Sequence, residues 1–127
     1  MSYPISFKAG CQTSILAASG VRILGALERC AQVLQRELVI TCGCDSHPPN
    51  DPHSKGEAFD VRSHDLTPAQ KTSLLSSMMQ ALSEGPQDLI LQKDGGYVTS
   101  HFFGWLEHAD QVTEHLHFQQ RNGIVFP

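Results

Sequence analysis

The sequence predicts an α+β domain, with a small, mainly antiparallel sheet and two principal helices. Three observations lead there. Two segments, near Gly20 to Arg36 and Thr67 to Leu82, repeat apolar residues at three- and four-residue steps. Short segments rich in β-branched or alternating residues lie between and after them. The chain has 127 residues, enough for a single domain spanning residues 1–127 and too few for a second core.

Taken in order, the first helix carries Ile23, Leu24, Leu27, Ala31 and Leu34 on one side and Arg22, Glu28, Arg29, Gln32 and Arg36 on the other. Leu38-Val39-Ile40-Thr41 reads as a short buried strand. Gly43 to Lys55, with three prolines, reads as a loop, and Glu57 to Arg62 as a second strand. Thr67, Pro68 and Gln70 have the pattern of a capping box with proline in the first turn. Leu74, Leu75, Met78, Met79 and Leu82 form the apolar stripe of the second helix, and Gly85-Pro86 stops it. Asp88 to Lys93 reads as a strand, and Asp94-Gly95-Gly96 as a turn able to start a hairpin. Residues 101–110 fit a short helix or a loop cover, and Glu114 to Gln119 a final strand.

Nine Lys and Arg against thirteen Asp and Glu give a formal charge of −4, with no basic cluster. Neither a nucleic-acid surface nor an anionic membrane surface is expected, since both need concentrated positive charge. No apolar run reaches the roughly 18 to 20 residues that span a bilayer, so no membrane insertion is expected. Met1 to Gly10 has one Lys and no apolar stretch, so no secretory signal is expected and synthesis is placed in the cytoplasm. Cys11, Cys30, Cys42 and Cys44 accordingly read as reduced thiols.

Seven histidines are the unusual feature. In the last strand, Leu116 and Phe118 share one face, and His115, His117 and Gln119 the other. Two imidazoles on one strand face stand about 6.6 to 6.8 Å apart at Cα, close enough to share an ion. Surface histidines are the plainer reading of such a pair. Asp60 lies opposite in parity to Phe59 and Val61, beside the small Ala58, so its carboxylate needs an ion, a hydrogen bond or an Arg62 partner. His53 precedes it by seven residues in the loop. Two imidazoles and one carboxylate on a tetrahedral zinc leave one position for water. A non-haem iron site of the His-x-Asp kind fits poorly, because His108-Ala109-Asp110 lies too near His117.

His53-Ser-Lys-Gly56-Glu-Ala58-Phe-Asp60 resembles the HxxGxAxD signature of the zinc D-alanyl-D-alanine peptidases, whose fold is shared with the hedgehog signalling domain. Glu114-His-Leu-His117 resembles their second motif, an acid three residues before the last histidine ligand. The resemblance spans roughly Val39 to Phe118. It implies a hedgehog-like fold and one Zn2+ per chain, held by His53, Asp60 and His117. It also implies Glu114 as the base that activates zinc-bound water, with His115 supporting the ligands or stabilising charge. The activity implied is that of a zinc metallopeptidase, a peptidoglycan endopeptidase or D-Ala-D-Ala carboxypeptidase, acting on stem peptides of the bacterial cell wall. Short leaderless members are similar to phage-encoded endolysins. The alternative is an inactive, zinc-stabilised binding or structural module of a phage particle.

Two departures from the family pattern stand out. The stretch Thr41-Cys42-Gly43-Cys44-Asp45 has an acid where many members have a substrate-binding arginine. His47 or Arg62 would then supply that cation, and cleavage inside the stem is favoured over release of a terminal residue. Glu114 also has opposite parity to His117 on an unbroken strand, so the strand must begin or bend at His115 for Glu114 to act; Glu107, His108 and Asp110 are the fallback bases.

Overall fold

Thr67 closes a capping box in the computed structural model: its hydroxyl accepts from the Gln70 N–H, and the Gln70 side chain accepts from the Thr67 N–H. From that cap, α2 (Pro68–Leu82) runs with Leu74, Leu75, Met78, Met79 and Leu82 buried, the stripe expected from the spacing. The structure describes residues 3–43, 51–88, 90–93 and 96–121. Helix α1 (Ala18–Leu34) begins two residues earlier than its sequence pattern suggests and ends where Gln35 turns left-handed, at φ 54°. Its N–H groups there return to the Ala31 and Gln32 carbonyls, which satisfies the last turn.

Among the described residues, seven strands form one mixed sheet, and from edge to edge the first three in the chain are followed by the seventh, sixth, fifth and fourth. They are β1 (Ile5–Phe7), β2 (Leu38–Cys42), β3 (Ala58–Arg62), β4 (Leu91–Lys93), β5 (Gly96–Val98), β6 (Phe102–Glu107) and β7 (His115–Gln120). The α+β class with two helices stands, whereas the small, mainly antiparallel sheet is corrected to a seven-stranded mixed one, with β1 parallel to β2. Two elements account for the difference. Strand β1 is only three residues long, below what alternation can signal. Strand β6 is apolar on both faces: Phe102 packs into the core, while Phe103 and Trp105 stack on each other on the opposite face.

Both helices lie against one face of this sheet. Phe59 and Val61 of β3, Leu116 and Phe118 of β7 and Phe102 of β6 join Ile23, Leu27, Leu74, Met78 and Met79 in one core. Gly104 of β6 belongs to this packing, since a Cβ there would sit 2.6 Å from the Phe118 ring and 3.2 Å from Met79 Cε. Side-chain alternation therefore leaves the other face of β3, β6 and β7 for polar chemistry. Among the described residues no helix is long and apolar enough to cross a membrane.

Candidate metal centre

The register of the central strands assembles the site. Asp60 of β3 pairs with His117 of β7, and Arg62 pairs with His115. On the other side of β7, Trp105 of β6 pairs with His117, and Glu107 pairs with His115. Directly opposed residues in a sheet point to the same side, so Asp60, Glu107, His115 and His117 share the face away from the helices. His53 arrives from the preceding loop. The Asp51 carboxylate accepts from the His53 backbone N–H at 2.9 Å, and the Gly56 N–H returns to the His53 carbonyl at 3.0 Å. Gly56 has φ +71°, and a Cβ there would lie 2.4 Å from the Ile15 carbonyl oxygen, so only glycine fits this turn between His53 and Asp60.

Asp60 Oδ1 is the point of convergence. His117 Nδ1 lies 2.9 Å from it, His53 Nε2 3.3 Å and His115 Nε2 3.5 Å. Glu107 Oε1 closes the group, 3.1 Å from His117 Nδ1 and 3.6 Å from His115 Nε2. Each imidazole is anchored by its other nitrogen. His53 Nδ1 faces the Gly43 carbonyl at 3.2 Å, His115 Nδ1 the Thr113 carbonyl at 2.8 Å, and His117 Nε2 the Gln119 side-chain oxygen at 2.8 Å. For His53 and His117 an oxygen that accepts at the outer nitrogen fixes the proton there and leaves the inner one for a metal, whereas His115 also meets Glu107 through Nε2.

The donors fit a divalent cation. Zinc–nitrogen and zinc–oxygen bonds of about 2.0 to 2.2 Å put tetrahedral ligand atoms roughly 3.3 Å apart, and the spacings around Asp60 run from 2.9 to 3.5 Å. Among the described residues, two groups sharing Asp60 bring possible ligand atoms within 4.8 Å of one another, Asp60 with Glu107, His115 and His117, and Asp60 with Cys42 and His53. His53, Asp60 and His117 are all buried, and a cleft of about 220 Å³ lined by Asp51, Pro52, Glu107 and the histidines opens over them.

The electrostatics are those of a cluster that trades protons for a cation. Burial pushes the Asp60 carboxyl up, but hydrogen bonds and charge from His117 and His53 outweigh it and hold it well below the usual range. Burial likewise pushes His53 down, and the Asp60 carboxylate overcomes this and raises it. The hydrogen bond to Glu107 raises His115 to about 9 against the burial that would lower it. The same contact lowers Glu107.

Glu114 is elsewhere. Strand β7 begins at His115, the start that a role for Glu114 at the histidines requires, yet the Glu114 carboxylate is held on the opposite side, where it accepts from Lys71 Nζ at 2.6 Å, Ser63 Oγ at 2.7 Å and the Asp110 N–H at 2.8 Å. Those bonds, the Lys71 one above all, hold its carboxyl down at about 2. A buried carboxylate committed to three donors ties α2 to the loop before β7 and is not the residue beside the histidines; Glu107 is. Of the other fallback bases, exposed His108 stacks edge-on against the His115 ring at 5.8 Å, and Asp110 meets Glu114 through its backbone.

Arg62 is exposed and borders a hollow of about 290 Å³ with Lys8, Thr41, His64 and His115. His47 and Asp45 lie outside the described residues. No family model, curated protein or solved structure matches this chain. The site therefore stands on its own geometry. Sequence reasoning ranked Glu107 only as a fallback and gave no part to Gln119 or Cys42. The Gln119 role was open to reading, because Gln119 shares the parity of His115 and His117.

Proposed function

We propose that this protein is a zinc-dependent peptidase of the hedgehog-like D-alanyl-D-alanine peptidase kind, hydrolysing a peptide bond in the stem peptides of bacterial peptidoglycan. The observation that carries this reading is the convergence of the His53, His117 and His115 inner nitrogens on the Asp60 carboxylate, with Glu107 beside them. The order of the HxxGxAxD and HxH segments, and their resemblance to that family, supply the substrate class.

His53, Asp60 and His117 hold the zinc in this reading, one per chain. When bound, zinc polarises a carbonyl and makes water more acidic. Glu107 takes the proton from water and delivers it to the leaving amine, a role that suits a half-buried carboxylate within 3.1 Å of a ligand nitrogen. His115 aims Nε2 into the same cleft, where it donates to the substrate oxygen that gains charge. The Phe103 and Trp105 rings, stacked 4.7 Å apart, wall one side of His117 and exclude water there. Arg62, bordering the neighbouring hollow that shares His115 with the cleft, steadies an anionic part of the stem peptide.

The test is digestion of purified peptidoglycan by zinc-loaded protein, with products read by mass spectrometry. Internal cleavage of the stem peptide is the expected result. Free D-alanine as sole product would overturn the internal site, and no product from a folded, metal-loaded protein would overturn the peptidase reading.

A further inference from the structure

Strands β2 and β3 slip register next to the site. Ile40 pairs with Val61, but Cys42 pairs with Asp60 rather than with Phe59. On a regular strand Cys42 would share the side of Leu38 and Ile40, which are buried in the helix-facing core. The bulge admits one extra residue and sets Cys42 across from Asp60, on the side of the sheet that carries the histidines. Re-aiming a side chain beside a site is a recurrent use of such bulges. Its Sγ, the Asp60 carboxylate and a His53 ring nitrogen then all lie within 4.8 Å of one another.

We propose that Cys42 is a fourth protein ligand of the metal, joining His53, Asp60 and His117. The inference rests on the metal-centre reading above and extends it. A thiolate is the softest donor in the cluster and a preferred partner of zinc, at a bond length of about 2.3 Å. Tetrahedral geometry puts such a sulfur roughly 3.5 Å from its neighbouring ligand atoms, so movement on the order of 1 Å closes Cys42 onto Asp60 and His53, and His117 approaches through the Asp60 carboxylate they share. On metal binding the thiol gives its proton to solvent and its sulfur lone pair to the cation. The resulting set of four protein donors fills the coordination shell, so Cys42 must yield its position before a peptide can react there. The fold thus holds its centre in a closed form, and reagents that alkylate the thiol act at the metal site itself.

Cobalt(II) substitution reads this directly, since a thiolate ligand adds a sulfur-to-cobalt charge-transfer band in the near ultraviolet to the visible d–d bands. The parent protein is expected to give both; Cys42→Ser keeps the d–d bands and loses the charge-transfer band, and Cys44→Ser retains both. Visible bands without charge transfer in the parent, or charge transfer that survives in Cys42→Ser, would overturn the role of Cys42 while leaving the centre intact. Absence of all cobalt bands would instead overturn the centre. Should Cys42→Ser fail to fold, the 113Cd chemical shift of the unaltered protein decides: a strongly deshielded, sulfur-ligated cadmium supports the inference, and a shift in the nitrogen/oxygen range overturns it.

Discussion

Replacing Glu114 by Gln removes the charge while keeping the size of a side chain that is 4% exposed. The parent carboxylate accepts from Lys71, Ser63 and the Asp110 N–H. An amide offers one acceptor oxygen and turns its NH2 toward a donor, so at least one contact becomes donor against donor. Removing one partner of a buried pair costs about 3 to 5 kcal/mol. Lys71, with 18% of its side chain exposed, can turn to solvent, which puts the cost near about 3 kcal/mol. At about 2.1 cal/mol/K per residue, 127 residues carry an unfolding entropy of about 0.27 kcal/mol/K, so Tm should fall by about 11 °C. The effect has a pH signature. The carboxyl is lowered from 4.5 to about 2 on folding, so its stabilisation is complete above about pH 5 and is lost as pH falls toward 2. Calorimetry of parent and variant should therefore diverge at pH 7 and converge in acid, with bound metal the same in both. Equal Tm at pH 7 together with lost metal or activity would refute this and return Glu114 to the centre.

Glu107→Gln should leave fold and metal content unchanged and lower peptidoglycan hydrolysis by about 10²- to 10⁴-fold, measured as initial rate. Gly56→Ala forces a Cβ to within 2.4 Å of the Ile15 carbonyl oxygen, and should cost at least about 2 kcal/mol in denaturant melts and weaken metal retention. Metal affinity should drop as pH is lowered, because His53 is raised above its ordinary value, so protons compete with the metal for its inner nitrogen; calorimetric titrations at two pH values check both the trend and the proton release. His64→Ala should bind metal normally, since His64 Nε2 meets the Val112 carbonyl at 2.8 Å, outside the cluster.

Much of this arrangement was legible in the sequence where one face of an element is buried and the other is not. Strand β7 alternates Leu116 and Phe118 with His115, His117 and Gln119, and the sheet uses that alternation directly. Helix α2 declared itself through Thr67 and Gln70 at the cap and a five-residue stripe. Strand β6 hid itself because Phe102 serves the core and Phe103 and Trp105 serve the cleft, which erases the period of two. Glu107 was obscured with it, since its place opposite His115 follows only from the β6–β7 register. Spacing pointed to Glu114 by resemblance; β7 does begin at His115, as that role required, but the Lys71 and Ser63 contacts that draw Glu114 to the other side come from distant parts of the chain and leave no mark on local spacing. The bulge that turns Cys42 toward Asp60 has no local sequence signal, being a product of pairing between two strands.

Whether the cluster around Asp60 holds a metal is decided by bound metal itself. Elemental analysis of protein purified without a histidine tag, dialysed against zinc and then against metal-free buffer, tests it most directly when run beside Asp60→Ala. One zinc per chain is expected in the parent and none in a variant that still folds. A parent that emerges folded and metal-free, or an Asp60→Ala variant that retains the full complement, would contradict it.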